Sequence, residues 1–290
     1  MSPGKRLRLV IETHGLAQIM SGHSPLSAIL ADEAGFDGIW ASGFELSALY
    51  GLPDMSFISM TQHLDMVGAI VAATTLPVVA DIDTGFGNAI NVMHAVKSYE
   101  CAGAAAVVIE DKIFPKVSSL TPNGRQDLTR VEEFQGKIAA AVAARRDPDF
   151  LVIARTEALI AGFDEDEALA RGVAYQAAGA DMILVHSKLD TPRQIERFSG
   201  AWIGHVPLAI VPTTYPQLTE RRIRDLGNIA MVIYGNHAIR ACITAMRGAF
   251  ATIKRDGSAA NLDRELVSVD EVFRLQGMPH IRELEEKFLR

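Results

Sequence analysis

Cysteine is scarce in this sequence: Cys101 and Cys242 are the only two among 290 residues. Two thiols cannot supply the disulfide framework of a small secreted domain. Each lies in an alanine-containing helical stretch, YECAGAAA and IRACITAM, so buried free thiols and a reducing, cytoplasmic setting are expected. Long apolar runs are missing too. No stretch of about 18 apolar residues is available to span a bilayer, and the start MSPGKRLRLV lacks the apolar core of a signal peptide. No membrane partner is expected. Positive charge is also short: 28 Lys and Arg stand against 35 Asp and Glu, for a net charge of −7. Such a chain offers no general attraction to a phosphate backbone, which argues against nucleic acid as a partner. A small anionic substrate stays open, because a local pocket can be basic on an acidic protein.

What is present is apolar and periodic. Hydrophobic residues make up 49% of the chain, ample for one large core, and α/β barrels commonly reach this length as one unit. Short β-rich apolar runs alternate with longer amphipathic stretches, the pattern of parallel βαβ units. Strands are predicted near 17–21, 38–42, 77–83, 105–111, 150–156, 181–187, 207–212 and 231–235. Helices are predicted at 25–34, 59–74, 88–102, 131–145, 165–178, 192–199, 219–226 and 237–254. Helices end in AGF (34–36) and AGA (102–104 and 178–180), with glycine where a left-handed C-cap is wanted. The expected architecture is an α/β, (β/α)₈ TIM-type barrel over residues 1–290. Two surplus helices, in SVDEVFRLQG and near 279–289, suggest that the tail from about 257 packs across the barrel or onto a neighbouring subunit.

Active sites of such barrels lie at the C-terminal strand ends. The residues there are polar: Ser42, Asp81, Asp83, Glu110, Asp111, Arg155, Glu157, His186, Thr213 and Asn236. Junctions at the opposite end are mostly Gly, Ala and Pro. Asp81-Ile82-Asp83 is expected to put two carboxylates on the same face of a strand end, because side chains alternate, and Glu110 ends the next strand, so all three can converge. Hard oxygen ligands without a cysteine or a histidine pair suit Mg²⁺ or Mn²⁺ better than Zn²⁺; solvated loop carboxylates are the plain alternative. Arg155 can bind an anion bidentately or pair with Glu157 or Glu110. His186, closing DMILVH, is either a site group or a satisfied core histidine. Asp54 alone is indistinguishable from a turn aspartate. Residues 111–125, with Lys112, Lys116, Ser118, Ser119 and Arg125, read as a lid or as a solvated loop.

ADIDTGFGN (80–88), EDKIFPKVSS (110–119), ARTEALIAG (154–162) and LVHSK (184–188) resemble the phosphoenolpyruvate mutase branch of the isocitrate lyase superfamily. The resemblance runs from GFDGIWASGFELS (35–47) to IYGNHAIRA (233–241). It implies that Asp81 contacts Mg²⁺, with Mn²⁺ or Co²⁺ as substitutes, while Asp83 and Glu110 hold it largely through water. It implies that Ser42, Gly43 and Phe44, beside Trp40, receive a substrate carboxylate. Arg155 matches the arginine on the oxyanion side, His186 a polar group near a phosphonate, and Asp54 an aspartate near the reacting phosphoryl group. Lys116, Ser118 and Ser119 fall on the family's gating loop, with Ser119 among the substrate-binding positions.

The loop separates the branches. Lyases of this superfamily carry a cysteine in a KRCGH-type motif, whereas this chain has Lys116-Val117-Ser118-Ser119. Mutases carry asparagine where Ser118 stands. Members that hydrolyse phosphonopyruvate carry threonine there, and serine supplies the same hydroxyl. SGFELSA, GRQDLTRVEEFQGKIAAA and PTTYPQLTE also look more like that branch. The resemblance therefore implies Mg²⁺-dependent hydrolysis of the C–P bond of phosphonopyruvate to pyruvate and phosphate. The alternatives are a mutase making phosphoenolpyruvate, a C–C lyase or hydrolase acting on an oxaloacetate-like acid, and a non-catalytic 2-oxo-acid binder. A homodimer or homotetramer with exchanged C-terminal helices is implied as well.

Overall fold

Eight short strands line up in chain order in the computed structural model, which describes residues 1–263 and 265–289. They are β1 (Ala17–Gly22), β2 (Gly38–Ala41), β3 (Val78–Asp81), β4 (Ala106–Glu110), β5 (Leu151–Thr156), β6 (Met182–Val185), β7 (Leu208–Ile210) and β8 (Ile229–Tyr234). Neighbours pair in parallel, and β1 pairs with β8 to close the barrel. The expected TIM-type barrel is the observed one.

Side-chain alternation divides the apolar residues into two layers. Ile39, Ala41, Val78, Ala80, Val107, Ile109, Ile183 and Val185 face outward into the sheet–helix core. Ile19, Trp40, Val79, Val108, Ile153 and Leu184 face inward and pack with one another. Two residues further along each strand, the next inward position is Ser21, Ser42, Asp81, Glu110, Arg155 or His186, every one of them buried. One parity thus supplies an apolar interior and, directly above it, a polar crown.

The floor is closed by α1 (Pro3–His14), which the periodicity of the sequence did not bring out. Its start was legible in principle: the Ser2 hydroxyl accepts from the Lys5 amide, Pro3 opens the first turn, and Gly15 ends it at φ 68°, a standard start and stop. Leu7 is fully buried in the inner layer, with Val10 and Ile11 packed against that layer. Truncating such a leucine to alanine typically costs about 2–5 kcal/mol.

The outer helices follow the sequence pattern: α2 (Pro25–Glu33), α4 (Met60–Ala73), α5 (Ala89–Cys101), α6 (Val131–Ala144), α8 (Glu165–Ala177), α9 (Arg193–Ala201), α10 (Glu220–Leu226) and α11 (His237–Asp256). Ser24, Ser59 and Asn88 cap α2, α4 and α5 in reciprocal capping boxes. Two short helices, α3 (Gly43–Leu49) and α7 (Ala158–Ala161), come directly after β2 and β5, on the polar-crown side.

Contacts divide the chain into Met1–Ile239, which holds the barrel, and Arg240–Arg290. The second unit contains most of α11, then α12 (Val269–Leu275) and α13 (Met278–Phe288). Among the described residues no helix is long and apolar enough to cross a membrane. Both cysteines are free, but they are exposed rather than buried as expected. The buried stripe of α5 runs through Val92, Ala95, Val96 and Tyr99, and Cys101 falls off it. Cys242 lies on α11, where Ile239 is the buried residue. Alanine-rich surroundings marked helix for these two positions, not burial.

Candidate active site

The polar crown encloses a cavity of about 60 Å³, room for roughly four to six waters and therefore for a small ligand. Trp40, Ser42, Phe44, Asp54, Asp81, Lys116, Ser118, Ser119, Arg155 and His186 all line it. Gly43, Asp83 and Glu110 do not line it directly. Thr213 and Asn236, noted in the sequence only as polar strand ends, complete the wall beside Gly235.

The acidic side is built by a turn, not by strand alternation. β3 stops at Asp81, and Asp83 stands beyond it at φ 51°, so the alternation expected across 81–83 does not reach the second aspartate. The turn is tied down locally: the Asp83 amide donates to Asp81 Oδ1 (3.3 Å) and buried Lys137 donates to the Thr84 carbonyl (2.9 Å). The two carboxylates still meet, at Gly43. A Cβ on Gly43 would lie 3.0 Å from Asp83 Oδ1 and 3.5 Å from Asp81 Oδ2. Glu110 is 1% exposed, neither of its oxygens receives a hydrogen bond, and Arg155 Nε is 3.5 Å away.

Orphaned buried carboxylate oxygens are costly and call for a cation. Burial raises the carboxyls of Asp83, to about 7, and Glu110; repulsion from Asp81, Asp54 and Glu110 adds to the rise at Asp83, while Lys116 opposes it at both. A bound dication would relieve that crowding. Among the described residues no three His, Cys, Asp or Glu side chains close a metal shell by themselves. An open all-carboxylate set of this kind fits Mg²⁺, which keeps several waters and takes one or two carboxylates, and does not fit a structural zinc. Asp81, Asp83 and Glu110 thus suit the expected metal.

The basic side is a buried network around Glu157. Arg155 Nε donates to Glu157 Oε1 (2.5 Å), and Nη2 contacts Ser119 Oγ (3.2 Å) and His186 Nδ1 (2.9 Å). Arg155 is ion-paired with Glu157 and Glu110, and it also lines the cavity. Burial works against its charge, but Glu157 and Glu110 outweigh that and keep the guanidinium protonated. Burial and the charge of Arg155 push the His186 pKa down, leaving a neutral imidazole. A guanidinium only donates, so the closer contact, with Arg155, assigns the histidine proton to Nε2.

The segment 111–125 is packed onto the site, not solvated throughout. Lys112 and Lys116 are 2% and 5% exposed, whereas Arg125 is exposed and pairs with Asp127. Lys116 Nζ lies 3.0 Å from Asp54 Oδ1 and 2.7 Å from Asp83 Oδ1. Burial opposes the Lys116 ammonium, but these carboxylates outweigh it and hold its pKa well above the usual lysine value. Burial likewise opposes ionisation of Asp54, yet Lys116 and a hydrogen bond with Ser118 bring its pKa below the usual aspartate value.

A second polar cluster gave no clear sequence signal. Ser21 Oγ donates to Glu45 Oε1 (2.7 Å), His23 Nδ1 lies 2.7 Å from Glu45 Oε2, and the Ile239 amide donates to Glu45 Oε1 (3.1 Å). Ser42 and Glu45 have capping-box spacing. The Ser42 hydroxyl does accept from the Glu45 amide (3.2 Å), but the Glu45 carboxylate serves β1 and α11 instead of turning back. The cluster fixes the start of α3 against the barrel.

A family model described as phosphoenolpyruvate phosphomutase matches residues 8–254. Phosphonopyruvate hydrolase of Variovorax sp. (strain Pal2) is 54% identical over 290 residues, covering 100% of both chains. The crystal structure of phosphonopyruvate hydrolase in complex with oxalate and Mg²⁺ superposes with a TM-score of 0.95 at 53% identity, over 100% of both chains. That of phosphoenolpyruvate phosphomutase from Streptomyces platensis subsp. rosaceus gives 0.97 at 49% identity, over 99% of each. With its closed parallel barrel, its carboxylate turn after β3 and its Arg155–Glu157 pair, the chain belongs to the phosphoenolpyruvate phosphomutase family.

Proposed function

We propose that this chain hydrolyses the carbon–phosphorus bond of phosphonopyruvate to pyruvate and phosphate with the aid of Mg²⁺, which Mn²⁺ or Co²⁺ can replace. The observation that carries this reading is at the lid. Ser118 and Asp54 line the same cavity, and Lys116 stands 3.0 Å from the Asp54 carboxylate. A hydroxyl, a carboxylate and an ammonium at the cavity wall can hold one water beside a departing phosphoryl group. The 54% identity to the Variovorax hydrolase over the whole chain supports the same reaction.

Mg²⁺ held by Asp81, with Asp83 and Glu110 acting through water, would supply Lewis-acid polarisation of the substrate carbonyl and carboxylate. The substrate carboxylate is received at the first-turn amides of Gly43 and Phe44, which lack intrahelical partners, with Trp40 and Ser42 forming the adjoining wall. Arg155 faces the oxyanion side, and Nε2–H of His186 donates to the phosphonate. As the C–P bond breaks, its electron pair passes into the enolate, and C3 of that enolate then takes a proton, balancing the one that the attacking water releases. Arg155 stabilises the developing charge, an effect worth about 3 kcal/mol per donor. Water attacks phosphorus. Asp54, held ionised, is too weak a base to deprotonate that water early, so it orients the water instead. Phosphoryl transfer asks mainly for such positioning and charge neutralisation, and Lys116 supplies the latter.

In the second unit Met246, Phe250, Ile253, Val272, Phe273 and Ile281 are exposed apolar residues. They support a homodimer or homotetramer in which the C-terminal helices pack on a neighbouring subunit. Two free, exposed thiols favour a cytoplasmic setting.

Incubation with phosphonopyruvate and Mg²⁺, followed by ³¹P NMR, tests the proposal. Inorganic phosphate with equimolar pyruvate is expected. Formation of phosphoenolpyruvate instead would favour the second reading, a mutase, which the 49% identity to the Streptomyces platensis enzyme supports. An unchanged phosphonate signal would overturn both and favour C–C bond chemistry on an oxaloacetate-like acid.

A further inference from the structure

Lys112 and Ser119 use up their hydrogen-bonding capacity on each other and on Glu157. An ammonium has three N–H groups, and Lys112 Nζ has three oxygens to receive them: the Val117 carbonyl at 2.8 Å, Ser119 Oγ at 2.7 Å and Glu157 Oε2 at 3.1 Å. The Ser119 hydroxyl receives from Lys112 and from Arg155 Nη2 (3.2 Å), and donates to Glu157 Oε2 (2.5 Å). One donor and two acceptors exhaust a hydroxyl. Glu157 itself is fully buried, and its other oxygen takes Arg155 Nε and contacts His186 Nδ1. Three of these residues, Lys112, Val117 and Ser119, come from the lid, and the others from the ends of β5 and β6. A fully satisfied buried polar network rigidifies what it joins, and loss of one member leaves costly unpaired groups.

We propose that Lys112 and Glu157 form a latch that holds segment 112–119 against the barrel and couples its closure to the working orientation of Arg155 and His186. Both are positioning residues, and this rests on the proposed function only in taking Arg155 and His186 as substrate-binding. Lys112 ties the lid backbone at Val117 to the carboxylate that also aims Arg155. A lid that lifts takes Lys112 and Ser119 away from Glu157, and Arg155 loses its Ser119 contact in the same motion. Ser119 then serves the latch in the closed state while it lines the cavity.

The test compares wild type, Lys112→Met, Glu157→Gln and the double variant, by amide hydrogen exchange and by steady-state turnover of phosphonopyruvate. Lys112→Met keeps length and apolar volume while removing the ammonium. Exchange over 113–120 is expected to rise about tenfold in each single variant while β4 and β5 stay protected. The double variant should exchange no faster than the faster single one, as coupled partners require. In Lys112→Met, kcat should fall about 100-fold through misplaced groups, with KM changing by less than about threefold. Unchanged lid exchange in folded Lys112→Met, exchange that rises across the whole barrel, or additive effects in the double variant would each overturn the latch. Should Glu157→Gln fail to fold, Lys112→Met alone decides. Should wild type leave phosphonopyruvate untouched, the functional reading fails, and lid exchange still decides the latch.

Discussion

Replacing Gly43 with alanine should make the protein a worse magnesium binder and no more stable. The residue opens α3 with ordinary right-handed backbone, so alanine meets no conformational penalty there. Alanine is preferred to glycine within a helix by about 0.5–1 kcal/mol, which alone would raise the melting temperature of a chain of this size by about 2 °C, but the contact made by the new Cβ offsets that gain. The new Cβ would stand 3.0 Å from Asp83 Oδ1, where ordinary contact begins at 3.4 Å. The carboxylate must therefore retreat by about 0.4 Å, the difference between those two distances. It cannot swing freely, because Lys116 Nζ holds the same oxygen at 2.7 Å, and Asp81 Oδ2 is already at 3.5 Å. Displacing a group that orients a metal shell typically costs about 10–100-fold in metal affinity. Calorimetric Mg²⁺ titration of both proteins, with melting curves taken in chelator, measures the two effects separately. An unchanged Mg²⁺ affinity would refute the placement of the ion beside Gly43, and a melting temperature raised by the full ~2 °C in chelator would refute the packing argument.

Three further outcomes are expected. Asp81→Ala should abolish turnover, and near-normal activity of that variant would remove Asp81 from the metal site. Ser118→Asn should suppress phosphate release from phosphonopyruvate in the ³¹P assay; undiminished hydrolysis would show that position 118 does not separate hydrolase from mutase. His63, 3% exposed with Nδ1 2.8 Å from the Tyr99 hydroxyl, has its pKa pushed down by burial to about 4. The unfolded imidazole takes a proton near pH 6.5 and the folded one only near 4, so acid favours unfolding. This contribution to stability is full above pH 6.5 and is lost as the pH falls toward 4, with about 2 kcal/mol gone by pH 5. Urea unfolding of wild type and His63→Asn at pH 7.5 and pH 5 should show a smaller acid loss in the variant, and equal losses would refute the assignment.

The barrel and half of the site could be read from the sequence because both rest on local periodicity. Asp81, Glu110, Arg155 and His186 each follow an inward apolar residue by two positions, a relation visible in any strand. Asp83 reaches Asp81 by another route than the one expected, since its placement depends on a left-handed turn that alternation cannot foresee. Lys112 and Glu157 looked like a loop lysine and an ion-pair partner. Their burial is created by each other, across 45 residues of chain, and no local pattern carries that. The helices α3 and α7 are too short, at 7 and 4 residues, to show a 3.6-residue period. The thiols show the same limit from the other side: composition marked helix at Cys101 and Cys242, while the exposed face was set by which stripe met the core.

The plugged floor of the barrel has a consequence for traffic. Leu7 fills the bottom, and α1 sits so close to the start of β5 that a Cβ on Gly4 would come within 2.5 Å of the Asp149 carbonyl oxygen. Among the described residues the packed inner layer around Leu7 closes that end of the barrel axis. Reactant, water and both products must all use the lidded mouth, in turn. Each catalytic cycle then includes at least one opening of that mouth, so the rate of opening is a ceiling on kcat, and added viscogen should slow a fast substrate more than a slow one.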